Sequence, residues 1–382
     1  MPARIVIDTR HIRDFGIGTY IRNLVRALAK LDSENRYILV TYSADAQEWN
    51  GLPSNFELAL YERKDSDLFD QAAFPLFLRG LRADLYHIPL NVVSVLMPTP
   101  YVVTVHDMSS LLYDQMPTRR RRFRRYQFRR GLERAGRIIA VSNATQRDIE
   151  GLFGINAGKI RRIYNAPDPQ FLEANPDPSD PEQLLTLERY QIRRPFLLYV
   201  GTIRPQKNIP RLVEAFAVLR AELEGHPTYG DLRLIIIGDE ISRHPEVRRT
   251  VIQTRVEQAV RFLGFVPFDT LRTFYASAAA FVFPSLYEGF GLPPLEAMAS
   301  GTPVVTSNVS SLPEVVGDSA VLVNPENVFE IARGIREALT SESLREALVR
   351  RGHQQARKFS WEATARQVLD VYQEFAGVKA FS

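Results

Sequence analysis

The sequence predicts an α/β protein made of two doubly wound parallel-sheet domains, and three observations carry that prediction. Short β-branched runs alternate with longer stretches of helical period, the pattern of a parallel sheet covered by helices. The runs fall into two series, separated by a stretch rich in proline, aspartate and asparagine. The length of 382 residues, 45% hydrophobic and 24% charged, suits two globular domains better than one.

The first series predicts strands at 4–9, 37–41, 56–60, 85–88, 101–106 and 137–141. The second predicts them at 196–200, 233–237, 261–263, 279–284, 303–306 and 320–323. Several are apolar throughout, as strands buried on both faces should be. Between the series lies Phe171-LEANPDPSDPEQ-Leu184, whose residue types favour turns and extended chain. The expected division is therefore 1–172, a linker at 173–189, and 190–359. From 360 to 382 a last helix is expected, capped by Ser360, with Trp361, Ala365, Val368, Leu369 and Tyr372 at helical spacing.

Composition removes several kinds of chemistry. There is no cysteine, so disulfides, thiolate metal sites and cysteine nucleophiles are excluded, which fits a reducing cytoplasm. No apolar run reaches the roughly 20 residues of a spanning helix, and charges break up the opening segment, which does not read as a signal peptide. The net charge is only +4, yet ten arginines stand between Arg119 and Arg137 against the single acid Glu133.

The most informative segment is 280–305. A buried strand ends at Pro284 and Ser285, and Gly289 and Gly291 then permit close approach of a ligand to the backbone. Pro293 and Pro294 suit the first positions of a helix. Glu288 falls in the loop and Glu296 in the first helical turn, both at the carboxyl edge of the sheet, where open α/β sheets bind ligands. The pair also reads as one acid balancing a helix dipole and one exposed loop acid. After the strand at 196–200 comes Gly201-TIRPQK-Asn208, where Arg204 and Lys207 can surround a diphosphate and stabilise charge on a departing oxygen. Alone, that loop reads equally as a solvated basic turn.

In the first domain Gly16 and Gly18 make a turn aimed at a helix start, but Ile21 replaces the third glycine of a dinucleotide fingerprint, which argues against a nicotinamide site. The strand at 101–106 ends in His106-Asp107, well placed for a cleft and equally explicable as structural. His11, His87, His226, His244 and His353 show no zinc spacing, and no metal site is expected. Asp65-Ser66-Asp67 reads as a solvated loop.

The whole segment Glu288-GFGLPPL-Glu296, continued through Met298-ASGTPVVT-Ser307 and Pro313-Glu314-Val315, resembles the Glu-x7-Glu motif of retaining glycosyltransferases of family 4. Those enzymes have the GT-B fold, two Rossmann-like domains facing a cleft. The resemblance implies that Glu288 contacts donor-sugar hydroxyls and Glu296 the ribose. It implies that the backbone through Gly289, Phe290, Gly291 and Leu292 runs along the sugar and diphosphate. Lys207 matches the diphosphate-binding lysine, whereas Thr202 stands where many relatives carry arginine, leaving Arg204 to supply that charge. Gly16 and Gly18 match a loop that closes over the donor phosphates, and His106 matches the histidine near the reacting carbon. The last helix would cross back to the first domain.

These likenesses imply metal-independent transfer with retention and no cofactor beyond a nucleotide-sugar co-substrate. The two loops look most like those of bacterial mannosyltransferases of surface-polysaccharide pathways, which puts GDP-mannose first as donor and UDP-sugars second. The expected acceptor is a glycan or a polyprenyl-diphosphate-linked sugar. Two rival readings are a nucleotide-dependent oxidoreductase on similar domains and a non-catalytic basic binding protein.

The arginine run should be helical, with Phe128, Leu132 and Ala135 on one face and Phe123 and Tyr126 among the arginines on the other. Exposed aromatics with cations suit an anionic membrane surface or a lipid diphosphate, and a solvated basic face is the alternative. No nucleic-acid partner is expected, because no recognised binding module accompanies the run. The expected location is the cytoplasm, or the inner face of the cell membrane as a peripheral protein.

Overall fold

A computed structural model of the chain describes residues 2–63, 69–113, 117–173 and 180–375. It divides into two compact units: residues 1–165 with 360–382, and residues 166–359. Asp65-Ser66-Asp67 lies outside the described residues.

Unit 1 holds β1 (Arg4–Asp8), β2 (Arg36–Thr41), β3 (Phe56–Leu60), β4 (Leu85–Ile88), β5 (Tyr101–Val105), β6 (Arg137–Ala140) and β7 (Ile160–Arg162). They pair in parallel in the order β3-β2-β1-β4-β5-β6-β7. Every residue of β4 and β5 is buried, which is why these strands are mostly apolar on both faces and show no regular alternation. Sequence reading missed β7: it has three residues, and two are exposed arginines on the sheet edge.

Unit 2 holds β8 (Phe196–Gly201), β9 (Arg233–Gly238), β10 (Val260–Phe262), β11 (Ala280–Phe283), β12 (Val304–Ser307) and β13 (Val321–Val323). The order is β10-β9-β8-β11-β12-β13, again all parallel. In both sheets the order reverses once, between β1 and β4 and between β8 and β11. Such reversals leave a crevice at the carboxyl ends of the two central strands, because their following loops depart in opposite directions.

The interval 173–189 was expected to be linker, yet its second half is a helix, Pro181–Arg189, that belongs to unit 2. Asp180 caps it by accepting from the Glu182 amide, Pro181 opens it, and Leu187 is buried. Turn-forming residues here start a helix rather than extend the chain.

The closing helix, Trp361–Gln373, starts at the Ser360 cap and packs on the opening helix, Phe15–Leu31, in unit 1. Trp361, Ala365, Val368, Val371 and Tyr372 are all buried. Val368 and Val371 each contribute about 1.5–3 kcal/mol through lost apolar surface, and Ala365 about 0.8 kcal/mol. Beyond the helix, Glu374 pairs with Arg137 (2.5 Å) and Arg161 (3.2 Å), tying the segment to β6 and β7. Among the described residues no helix is long and apolar enough to cross a membrane.

Candidate active site

The loops that follow β8 and β11 meet at the crevice of the second sheet. The first carries Lys207 in a single 3-10 turn, Pro205–Lys207, and the second carries Glu288. Lys207 Nζ stands 2.6 Å from Glu288 Oε1, with side chains 17% and 11% exposed. The alternative readings of a solvated basic turn and an exposed loop acid do not fit this arrangement, in which the two side chains are largely withdrawn from water and each is the other's counter-charge.

Neighbouring bonds hold the pair in register. Asn208, at φ 62°, donates through Nδ2 to the carbonyls of Pro284 (2.9 Å) and Pro325 (2.7 Å). The Leu286 amide donates to the Gln206 carbonyl at 2.7 Å. On the far side, Ser310 and Ser311 grip the Glu288 loop. Their hydroxyls donate to the Glu288 carbonyl at 2.6 and 3.0 Å, and Ser311 reaches the Phe290 carbonyl at 2.7 Å. Sequence reading missed Ser310, Ser311 and Asn208. Their only local signal is turn-forming residue type, and what they hold lies 21 to 117 residues away.

Gly291 caps the helix Leu292–Ala299 with φ 113°, and a Cβ there would come within 2.9 Å of Leu312 Cδ2. The left-handed backbone conformation therefore favours glycine, and any larger residue would also have to displace the end of the Leu312 side chain. Phe290 and Leu292 turn their side chains into the core, at 4% and 7% exposure. Pro293 and Pro294 bring no amide hydrogen, so the helix start offers fewer donors than an ordinary one. Arg204, by contrast, is exposed, and Gly289 lies beside Glu288 in the same loop.

Glu296 was expected in the first helical turn. It stands in the second, half-buried, where its carboxylate accepts from the Tyr275 hydroxyl at 3.0 Å. Burial pushes the carboxyl up to about 7; the Tyr275 hydrogen bond opposes the shift and the charge of Asp168 adds to it.

In unit 1 the opening helix begins at Phe15, so Gly16 and Gly18 lie inside its first turn rather than in a loop before it. A Cβ on Gly18 would overlap the Ile12 carbonyl, so this glycine is needed for the chain to fold back on itself. His106 follows β5. Its amide donates to Asn91 Oδ1 (2.8 Å), and Asn91 Nδ2 donates to the Asp107 carbonyl (2.8 Å). Asp107 accepts from the Ser109 amide and hydroxyl, which gives its carboxylate a local turn to stabilise.

The His106 ring bonds to the Pro89 carbonyl, while Nε2 is buried without a hydrogen-bond partner. Burial pushes the imidazole down to about 4, so it is neutral at physiological pH and offers a free acceptor at Nε2. Among the described residues no three of His, Asp and Glu are gathered as a metal ion requires.

The Glycosyl transferases group 1 profile matches residues 188–355, and the Glycosyltransferase Family 4 profile matches residues 16–171. O-antigen chain mannosyltransferase B of Escherichia coli is 37% identical over 273 residues, 71% of this chain and 69% of that protein. The serotype-specific mannosyltransferase WbdA of Escherichia coli is 31% identical over 77% of this chain, which spans only 35% of WbdA's length. Among solved structures, Anabaena Alr3699/HepE in complex with UDP-glucose superposes with a TM-score of 0.76 at 17% identity, covering 97% of this chain and 100% of that one. WaaG, a glycosyltransferase involved in lipopolysaccharide biosynthesis, gives 0.75 at 17% identity, covering 96% and 99%. These two likenesses show the fold, which is GT-B.

Proposed function

Because the chain belongs to the group 1 glycosyl transferases of family 4 and is a nucleotide-sugar-dependent glycosyltransferase, we propose that it moves mannose from GDP-mannose, with retention, to a glycan or polyprenyl-diphosphate-linked acceptor. UDP-sugars are the second choice of donor. The observation that carries this reading is the Lys207–Glu288 pair at the reversal point of the second sheet. The mannosyltransferases among its relatives favour mannose. Family membership sets aside both the oxidoreductase and the non-catalytic reading.

In this reading the donor parts the ion pair. Lys207 turns to the diphosphate, with Arg204 at the mouth of the same loop, and the Glu288 carboxylate accepts hydrogen bonds from hexose hydroxyls. Glu296 holds the ribose, and the backbone from Gly289 to Leu292 lines the sugar and diphosphate. Gly16 and Gly18, in the first turn of the opening helix, are assigned to the donor phosphates. His106, neutral, accepts from a sugar hydroxyl through Nε2. The bond from the anomeric carbon to the diphosphate oxygen breaks as the acceptor oxygen bonds to that carbon on the same face. The acceptor proton passes to the departing diphosphate. Lys207 counts most when the leaving charge is greatest, which lowers the barrier rather than merely tightening binding. Lys207 and backbone amides meet that charge without a divalent metal.

The arginine helix, Thr118–Arg134, gives the protein a surface for the inner face of the cell membrane. Phe128 and Leu132 are buried, while Phe123 and Tyr126 are 61% and 56% exposed among the arginines. Cations draw the helix to anionic headgroups and the aromatic rings enter the interface.

A thermal-shift screen of GDP-mannose, UDP-glucose, UDP-galactose and NAD, followed by GDP-release assays and NMR of the product anomer, tests the proposal. GDP-mannose should raise Tm and give an α-linked product. Stabilisation by a UDP-sugar alone would overturn the donor assignment, and a β-linked product from the α-linked donor would overturn retention.

A further inference from the structure

Thr104 lies near the end of β5 and His106 just beyond it, and the same side chain, that of Tyr20 from the opening helix, touches both. Its hydroxyl is 3.0 Å from Thr104 Oγ1, and its ring meets the His106 imidazole edge-on, with centroids 4.9 Å apart and planes at 80°. The same Thr104 oxygen meets His87 Nε2 at 2.8 Å, and His87 Nδ1 meets the hydroxyl of Tyr372 at 2.5 Å. Tyr20, His87 and Thr104 are fully buried and Tyr372 nearly so.

The groups along this line are neutral. Burial lifts the Tyr372 phenol well above its ordinary range and pushes the His87 imidazole down to about 3, so the phenol keeps its proton and the ring is neutral. A neutral imidazole offers one donor and one acceptor. With Tyr372 donating to Nδ1, the Nε2 hydrogen is left to donate to Thr104. The bonds thus run from the closing helix, through β4, to β5.

The His106 ring needs such a support. Its one ring hydrogen bond, to the Pro89 carbonyl, holds one nitrogen, and Nε2 has no hydrogen-bond partner to oppose a turn of the ring. The edge of Tyr20 is the wall that stops it. We propose that Tyr20 is a positioning residue for His106, and that the Tyr372–His87–Thr104 chain holds Tyr20 in place, so that the last helix sets the aim of the histidine meeting the donor sugar. This rests on the role given to His106 above. A small misplacement of such a group costs turnover far more than donor affinity.

The test uses the full chain with 15N-labelled histidine, GDP-mannose as donor and GDP release as readout. The variants are Tyr20→Leu, Tyr20→Phe, Thr104→Val, Tyr372→Phe and His106→Ala. In the wild type the His106 ring should show one tautomer, protonated at Nδ1. Tyr20→Leu should average its two nitrogen signals and lower kcat about 30-fold with KM within about twofold. Tyr20→Phe, which keeps the ring but loses its bond to Thr104, should lower kcat about fivefold, well short of the loss in Tyr20→Leu. Thr104→Val and Tyr372→Phe should each lower kcat about fivefold and broaden the same signals. These two milder variants decide the matter should Tyr20→Leu not fold.

The proposal is overturned if variants that fold keep both kcat and the single tautomer. It is overturned equally if kcat falls while the His106 signals stay as in the wild type, since the tyrosine would then act by some other route. The tautomer readout needs no substrate. Turnover surviving in His106→Ala would instead end the reading of His106 itself, whatever the tyrosine variants do.

Discussion

Lys207 Nζ and Glu288 Oε1 are 2.6 Å apart across two loops, and neither side chain is more than 17% exposed. In the proposed reading, the donor exchanges one charged partner for another rather than filling two waiting sites. Removing either residue leaves its partner's charge poorly solvated, which costs about 1–3 kcal/mol at this partial exposure. Lys207→Ala and Glu288→Ala should each abolish turnover and lower Tm. Lys207→Met/Glu288→Gln, which removes both charges, should recover Tm while leaving the enzyme inactive. Wild-type turnover in either single variant would refute the assignment.

Glu296 gives stability a dependence on pH. Burial lifts its folded carboxyl to about 7 from the ordinary 4.5, so the folded state binds a proton that the unfolded chain has already released. The stabilisation is full below pH 4.5 and is lost as pH rises through 7. Glu296→Gln, neutral throughout, should be more stable than wild type at pH 8 by up to about 3 kcal/mol, with the advantage gone at pH 4. Melting curves across pH 4–8 measure this; a constant difference would show that the carboxyl titrates normally.

His87 and His106 act in the opposite sense. Burial lowers them to about 3 and about 4 from 6.5, so the unfolded chain takes up protons that the fold refuses. Unit 1 keeps this stability above pH 6.5 and loses it as pH falls toward 4, at up to about 1.4 kcal/mol per pH unit for each ring. Hydrogen exchange at amides of β4 and β5 should accelerate steeply over that interval. His87→Gln should show a shallower dependence; an unchanged slope would mean that the ring is not buried neutral.

Arg119, Arg120 and Arg122 are exposed beside Phe123. Replacing all three by glutamate should eliminate sedimentation with phosphatidylglycerol vesicles, leave Tm within about 2 °C, and leave turnover on a soluble acceptor intact, because none is buried. Phe123→Ser should weaken vesicle binding without changing its salt dependence, since it removes apolar contact and no charge. Equal binding to neutral vesicles by the wild type would count against the electrostatic part of the reading.

The strands were legible because burial on both faces writes itself into consecutive residues. Val102, Val103 and Val105 are apolar for a reason that three neighbouring letters convey. The 280–305 segment was legible too, since its glycines and prolines constrain backbone at their own positions. By contrast, β7 was lost because an exposed edge with two arginines carries no apolar signal. The helix at Pro181–Arg189 was lost because a proline after an aspartate opens helices as readily as it ends them.

The amino-acid order alone therefore determined two parallel sheets, the acids at 288 and 296, the lysine at 207 and the histidine at 106 as the residues to examine. Only the tertiary structure decided what each one meets. Lys207 finds its partner 81 residues away, and Tyr372 finds His87 across 285. The turn of the helix that hides Glu296 against Tyr275 is likewise set by packing. Periodicity and turn chemistry report on a few neighbouring residues, whereas charge, burial and proton position depend on which distant segments the winding of each sheet brings together.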